Sequence, residues 1–102
     1  METTYNSQTY NGSAPNPTAG ADIWAGLPVY YFNNATSIIH VWGRNNDLLI
    51  RFSFTRDTLS WHDPIQINNA PQSEPFYHSA QAFQVVNVTT GAIAWFQVVG
   101  FW

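Results

Sequence analysis

The chain has no cysteine and no lysine, so Arg44, Arg51 and Arg56 are its only fixed cations among 102 residues. Without thiols there is no disulfide framework and no thiolate metal site, and a cysteine-free chain is compatible with either redox compartment. Charged residues make up only 9% of the sequence and the net charge is -3. That balance excludes a phosphate-backbone partner, because nucleic-acid affinity draws on clustered Lys and Arg that displace counterions. Nowhere is there a run of the ~20 apolar residues that a membrane helix requires. The first residues hold neither a basic segment nor an apolar one, so no classical signal peptide is read there. A cytoplasmic protein is expected, or one exported by another route.

What is present is aromatic. Trp, Tyr and Phe supply 17% of the residues, and solubility must rest on amides and hydroxyls. From Trp24 onward no window shows the 3.6-residue apolar period of a helix. Alternation of period two recurs between clusters of Gly, Asn, Asp and Pro instead. The chain is therefore read as all-β, an antiparallel meander of about six strands. These are placed near Val29 to Phe32, Ser37 to Gly43, Leu48 to Phe54, Leu59 to Ile67, Ala82 to Val88 and Ala92 to Phe101. Residues 1–21 carry Gly12, Pro15, Pro17 and Gly20 among polar neighbours and are read as a flexible or surface-hugging arm. Residues 22–102 form a single domain, and Asn68 to Pro75 reads as a loop.

The stretch Ile39 to Phe52 (IHVWGRNNDLLIRF) reads as a hairpin turning at Asn45-Asn46, since Asn tolerates the positive φ of a type I′ turn. That register puts Ile39, Val41, Leu48, Ile50 and Phe52 on a core face, and His40, Trp42 and Arg51 together on the other. A further turn through Thr55 to Thr58 would add a third strand, bringing His62 beside Arg51 and Trp61 beside Phe52. A second such unit, Phe83 to Phe96, aligns with the first at an offset of 44 residues, matching Ile39 with Phe83, Val41 with Val85, Ile50 with Ala94 and Phe52 with Phe96. That spacing is the size of a propeller blade. The chain thus reads either as a β-sandwich or as two blade-like units completed by oligomerisation; the latter resembles small two-blade lectins that trimerise into a six-bladed ring. The C-terminal run AIAWFQVVGFW is apolar on both faces, which makes its strand central in a sheet or covered by another subunit.

The face with Trp42, His40, Arg51 and His62 is the first candidate site. A sugar ring has a weakly polar C–H face and a rim of hydroxyls. Trp offers a large flat apolar surface at low rotamer cost, and Arg and His offer directional hydrogen bonds. Glu74 and Tyr77, in the loop PQSEPFYH, would close the rim. Trp24, Trp95 and Trp102 are assigned to core or interface. No metal is expected: His40 and His62 would lie two strand spacings apart, roughly 9 to 10 Å, too far to share one ion. His62 and Asp63 are neighbours whose side chains leave a strand on opposite sides, so they do not form a catalytic pair. The sequence therefore suggests a non-enzymatic, cofactor-free lectin, multivalent through homo-oligomerisation. The alternative is a coat or toxin subunit whose aromatic surfaces serve protein contacts. The composition, poor in charge and rich in Asn, Thr, Ser and Trp, resembles that of cytosolic fungal and bacterial lectins.

Overall fold

The computed structural model describes residues 6–17, 22–44, 48–57, 59–67, 72–76, 79–88 and 94–102, with backbone alone for Arg44 and residues 72–76. Eight strands are formed: β1 (Ser7–Ala14), β2 (Tyr30–Tyr31), β3 (Ile38–Arg44), β4 (Leu48–Ser53), β5 (Ile65–Ile67), β6 (Gln72–Phe76), β7 (Ala82–Asn87) and β8 (Ala94–Phe101). They build two four-stranded sheets. Sheet A has the order β1-β8-β3-β6 and sheet B the order β2-β7-β4-β5, with every neighbouring pair antiparallel. Apart from β4 and β5, which are neighbours in sheet B, consecutive strands alternate between the two sheets, the jelly-roll arrangement of an all-β sandwich. Among the described residues no helix is long and apolar enough to cross a membrane.

The sandwich reading holds and the meander does not. Both supposed hairpins are passages between sheets: β3 lies in sheet A and β4 in sheet B, while β7 lies in sheet B and β8 in sheet A. Each then pairs with the other unit, β3 with β8 and β4 with β7. The expected turn at Asn45-Asn46 lies outside the described residues. All eight residues matched at the 44-residue offset are indeed buried. Their repetition marks two arches interlocked through a common core, with no blade among the described strands.

Alternation holds strand by strand. In β3, Ile39 and Val41 point into the core, and in β4 Leu48, Ile50 and Phe52 do so from the opposite sheet. Phe83 sits at the centre, its ring stacked on Tyr30 at 5.0 Å between centroids and flanked by Tyr10, Phe32, Phe52 and Phe96. Two strands lie where the sequence suggested none. β1 falls within the segment read as an arm and pairs with β8 without interruption from Ser7↔Phe101 to Ala14↔Ala94. Its inward face is only weakly apolar, yet the Tyr10 ring reaches the core and its hydroxyl donates to the Tyr31 carbonyl. β6 falls within the loop PQSEPFYH; it is an edge strand, the one sheet position where Pro75 is tolerated.

The two outer faces differ. Sheet B is covered by the chain itself: residues 22–27 fold over it, and Trp24 and Leu27 bury against Val86 with Ile23 and Leu49 alongside. The cover begins with Asp22, whose carboxylate accepts the Trp24 amide at 2.9 Å, and turns at Gly26, with φ of 75°. As a result every residue of β7 is buried. β8 occupies the corresponding central place in sheet A, but there alternate residues stay open.

Candidate functional site

The open face of sheet A is built in rows. Across β1, β8 and β3, Thr9 aligns with Val99 and His40, Asn11 with Gln97 and Trp42, Ser13 with Trp95 and Arg44, and Ser7 with Phe101 and Ile38. Residues directly opposite or diagonal across antiparallel strands lie within reach of one another's side chains, aromatic ones above all. Trp42 and Trp95 are such a diagonal pair. They line a shallow groove of about 930 Å³ with His40, Phe101, Gln97 and Asn11. Trp95 is 46% exposed, whereas Trp42 and His40 are half-buried, His40 standing edge-on to Phe101 at 6.1 Å.

The groove thus has an aromatic floor on β3 and β8 and a polar rail on β1, where Ser7, Thr9, Asn11 and Ser13 are all exposed. None of its described lining residues is Asp, Glu, Lys or Arg.

The six residues proposed from sequence divide. Trp42 and His40 share this groove as expected. Arg51 does not join them, because β4 belongs to the other sheet and places it on the far side of the molecule. Its guanidinium is held between two indoles, 4.6 Å from the Trp24 ring and 4.3 Å from that of Trp61, and its Nε donates to Gln84 Oε1 at 2.8 Å. Burial lowers its pKa from the usual arginine value, and Asp22 partly opposes the shift. This arginine fastens the 22–27 segment onto sheet B. Gln84 completes the clasp by donating to the Leu27 carbonyl at 3.1 Å.

His62 also moves, through a register change of one residue. Phe52 was expected opposite Trp61; instead Ser53 pairs with Trp61, and the His62 amide donates to the Phe52 carbonyl at 2.9 Å. A single-residue slip exchanges the two faces of a strand, so Trp61 meets Arg51 and His62 packs edge-on against Phe54, 3.7 Å between centroids. The slip has a local cause. The buried Ser53 hydroxyl accepts the Ser60 amide at 2.9 Å and donates to the Thr55 carbonyl at 2.8 Å, closing a longer loop than the expected turn through Thr55 to Thr58. Glu74 lies on β6 opposite Val41, with its side chain outside the described set, as is Tyr77 altogether.

Sequence reasoning missed Trp95, Gln97 and Asn11. Trp95 was assigned to core or interface because its strand is apolar on both sides; its outward position relative to Ala94 and Phe96 was the available signal. Trp24, by contrast, is buried as assigned.

The clasp predicts its own test. Replacing Arg51 with Met keeps the stem but removes both cation–π contacts and the bond to Gln84, and should cost about 1–2 kcal/mol in denaturant unfolding. Arg51→Lys should recover less than half, since an ammonium lacks the planar fork that sits between two rings. Equal stability of Lys and Arg at this position would contradict the stacked geometry.

No protein-family model matches this chain, and neither a curated protein nor a solved structure shows significant similarity to it.

Proposed function

We propose that the protein binds carbohydrate, and specifically a sugar chain, on the outer face of sheet A. The observation that supports this most is the asymmetry of the sandwich: the chain covers the apolar outer face of sheet B with its own residues 22–27 and leaves an aromatic face open on sheet A among the described residues. An open patch of this kind marks a place where something else binds. Trp42 and Trp95 offer flat apolar surfaces for the C–H faces of successive rings. Gln97, Asn11 and His40 offer directional donors and acceptors for hydroxyls, with Thr9 and Ser13 along the rail.

Arg51, on the other sheet, is not at hand for a ligand bound here, whereas Arg44 stands opposite Trp95 at the end of this face. The strands are long enough for several sugar rings in a row, and repeated weak contacts along one ligand suit a shallow groove better than a single deep pocket would.

A glycan array followed by titration calorimetry tests the reading. Oligosaccharides should bind, and Trp42→Ala and Trp95→Ala should each weaken binding roughly tenfold or more, as loss of a central aromatic contact does. Arg51→Lys, on the opposite sheet, should leave the affinity unchanged. An array without glycan ligands, or affinity that survives both tryptophan substitutions in folded protein, would reject the site and favour the coat or assembly role.

A further inference from the structure

A sandwich of this kind has four sheet edges, and an edge strand left unguarded pairs with another strand. Three of the edges here are guarded. β2 and β5 are two and three residues long, and β6 carries Glu74 and Pro75 within it. β1 has none of these devices. It runs for eight residues, SQTYNGSA, without charge or proline, and its one-to-one register against β8 contains no bulge.

The direction of its backbone groups follows from one reciprocal pair. Asn6 and Trp102 exchange both amide hydrogen bonds, at 3.3 and 3.1 Å. In an antiparallel ladder bonded and non-bonded residues alternate, so Gln8, Tyr10, Gly12 and Ala14 face β8. The amides and carbonyls of Ser7, Thr9, Asn11 and Ser13 point the other way, at the free edge, and all four residues are exposed.

We propose that this edge is a dimer interface, in which β1 pairs antiparallel with β1 of a second copy of the chain. A twofold axis beside Tyr10 sets Ser7 opposite the partner's Ser13 and Thr9 opposite the partner's Asn11, and the reverse. Each of these pairs exchanges two backbone hydrogen bonds. A second copy is the occupant that fits because the sequence is self-complementary in this register: small hydroxyl and amide side chains meet their like, no charge meets another, and the isologous contact closes without leaving a further edge of the same kind. The two A sheets become one eight-stranded sheet, and their open faces lie side by side on the same surface. The inference stands independently of what that surface binds.

Sedimentation equilibrium and light scattering read the outcome over a wide concentration range. The expected mass is twice 11.5 kDa, and amide exchange at Ser7, Thr9, Asn11 and Ser13 should slow as concentration rises. Thr9→Pro removes one outward amide that the folded monomer does not need, and should give a folded monomer by circular dichroism. Gly12→Pro removes an amide that faces β8 and should instead lower the thermal stability. If Thr9→Pro fails to fold, Thr9→Lys with Asn11→Lys places like charges opposite each other across the axis and should dissociate the dimer equally well. A wild-type monomer at all concentrations would overturn the proposal. So would a dimer that survives these substitutions, or one whose four odd-numbered β1 amides exchange as freely as in the monomer.

Discussion

Phe83→Ala is expected to lower the melting temperature by roughly 12–40 °C, the range given by a loss of about 3–5 kcal/mol in a domain of this size. The expectation rests on where the ring sits. It is fully buried, stacks on Tyr30 with planes 19° apart, and touches aromatic rings from both sheets. Those neighbours belong to four different segments of chain, so no single one can relax into the space left behind. A stable domain has only about 5–15 kcal/mol in reserve, and part of the population should be unfolded near 37 °C. Phe83→Leu fills much of the volume and should cost less than half as much. A drop of under about 5 °C for the alanine variant, measured by circular dichroism or calorimetry, would show that the two sheets do not close around this ring.

Gly100→Ala is expected to destabilise by about 2–3 kcal/mol, at the upper end for adding one methyl group to a filled core. A β-carbon at this position would lie 2.7 Å from both Phe32 Cε1 and Thr36 Cγ2. Neither neighbour can withdraw easily. Phe32 is buried, with its amide bonded to the Gln81 carbonyl, and Thr36 uses its hydroxyl to accept the Ala80 amide at 3.0 Å. The same change at Gly12 meets nothing closer than 3.8 Å, and Gly12→Ala should fall within about 0.5 kcal/mol of the parent. Urea unfolding of the two variants side by side separates packing from glycine chemistry in general. Equal effects at the two positions would contradict the close approach of β8 to the 32–36 segment.

The sequence disclosed which side of each strand is buried far better than which strand lies next to it. Ile39, Val41, Ile50 and Phe52 were read as core and are core. Alternation, however, is the same whether two consecutive strands pair side by side or face each other across a sandwich, and so the pairing of His40 with Arg51 was not contained in it. Gly43 held a clue: a β-carbon there would lie 2.9 Å from Leu48 Cδ1, which shows the two strands crossing closely as the chain changes sheets. β1 escaped notice because its polarity suits an arm as well as an edge strand. What tells them apart is a partner, β8, at least 80 residues away. For the site, Trp42 and His40 were legible because outward aromatic and imidazole groups are unusual on a solvated strand. Trp95 was not, since a strand apolar on both faces reads as one that is covered on both.

The pairing of the earliest strand with the last carries a consequence for synthesis on the ribosome. Sheet A gains its central member only when residues 94–101 have emerged, and β1 has no neighbour in the sheet until then. The stretch from β1 to β8 must therefore be present before sheet A can close, and the loop entropy of such distant pairings puts folding in the slow, millisecond-to-second range typical of all-β topologies. During that interval the tyrosines and phenylalanines of the interior are open to their surroundings, so the nascent chain depends on escaping or being shielded from association until β8 arrives.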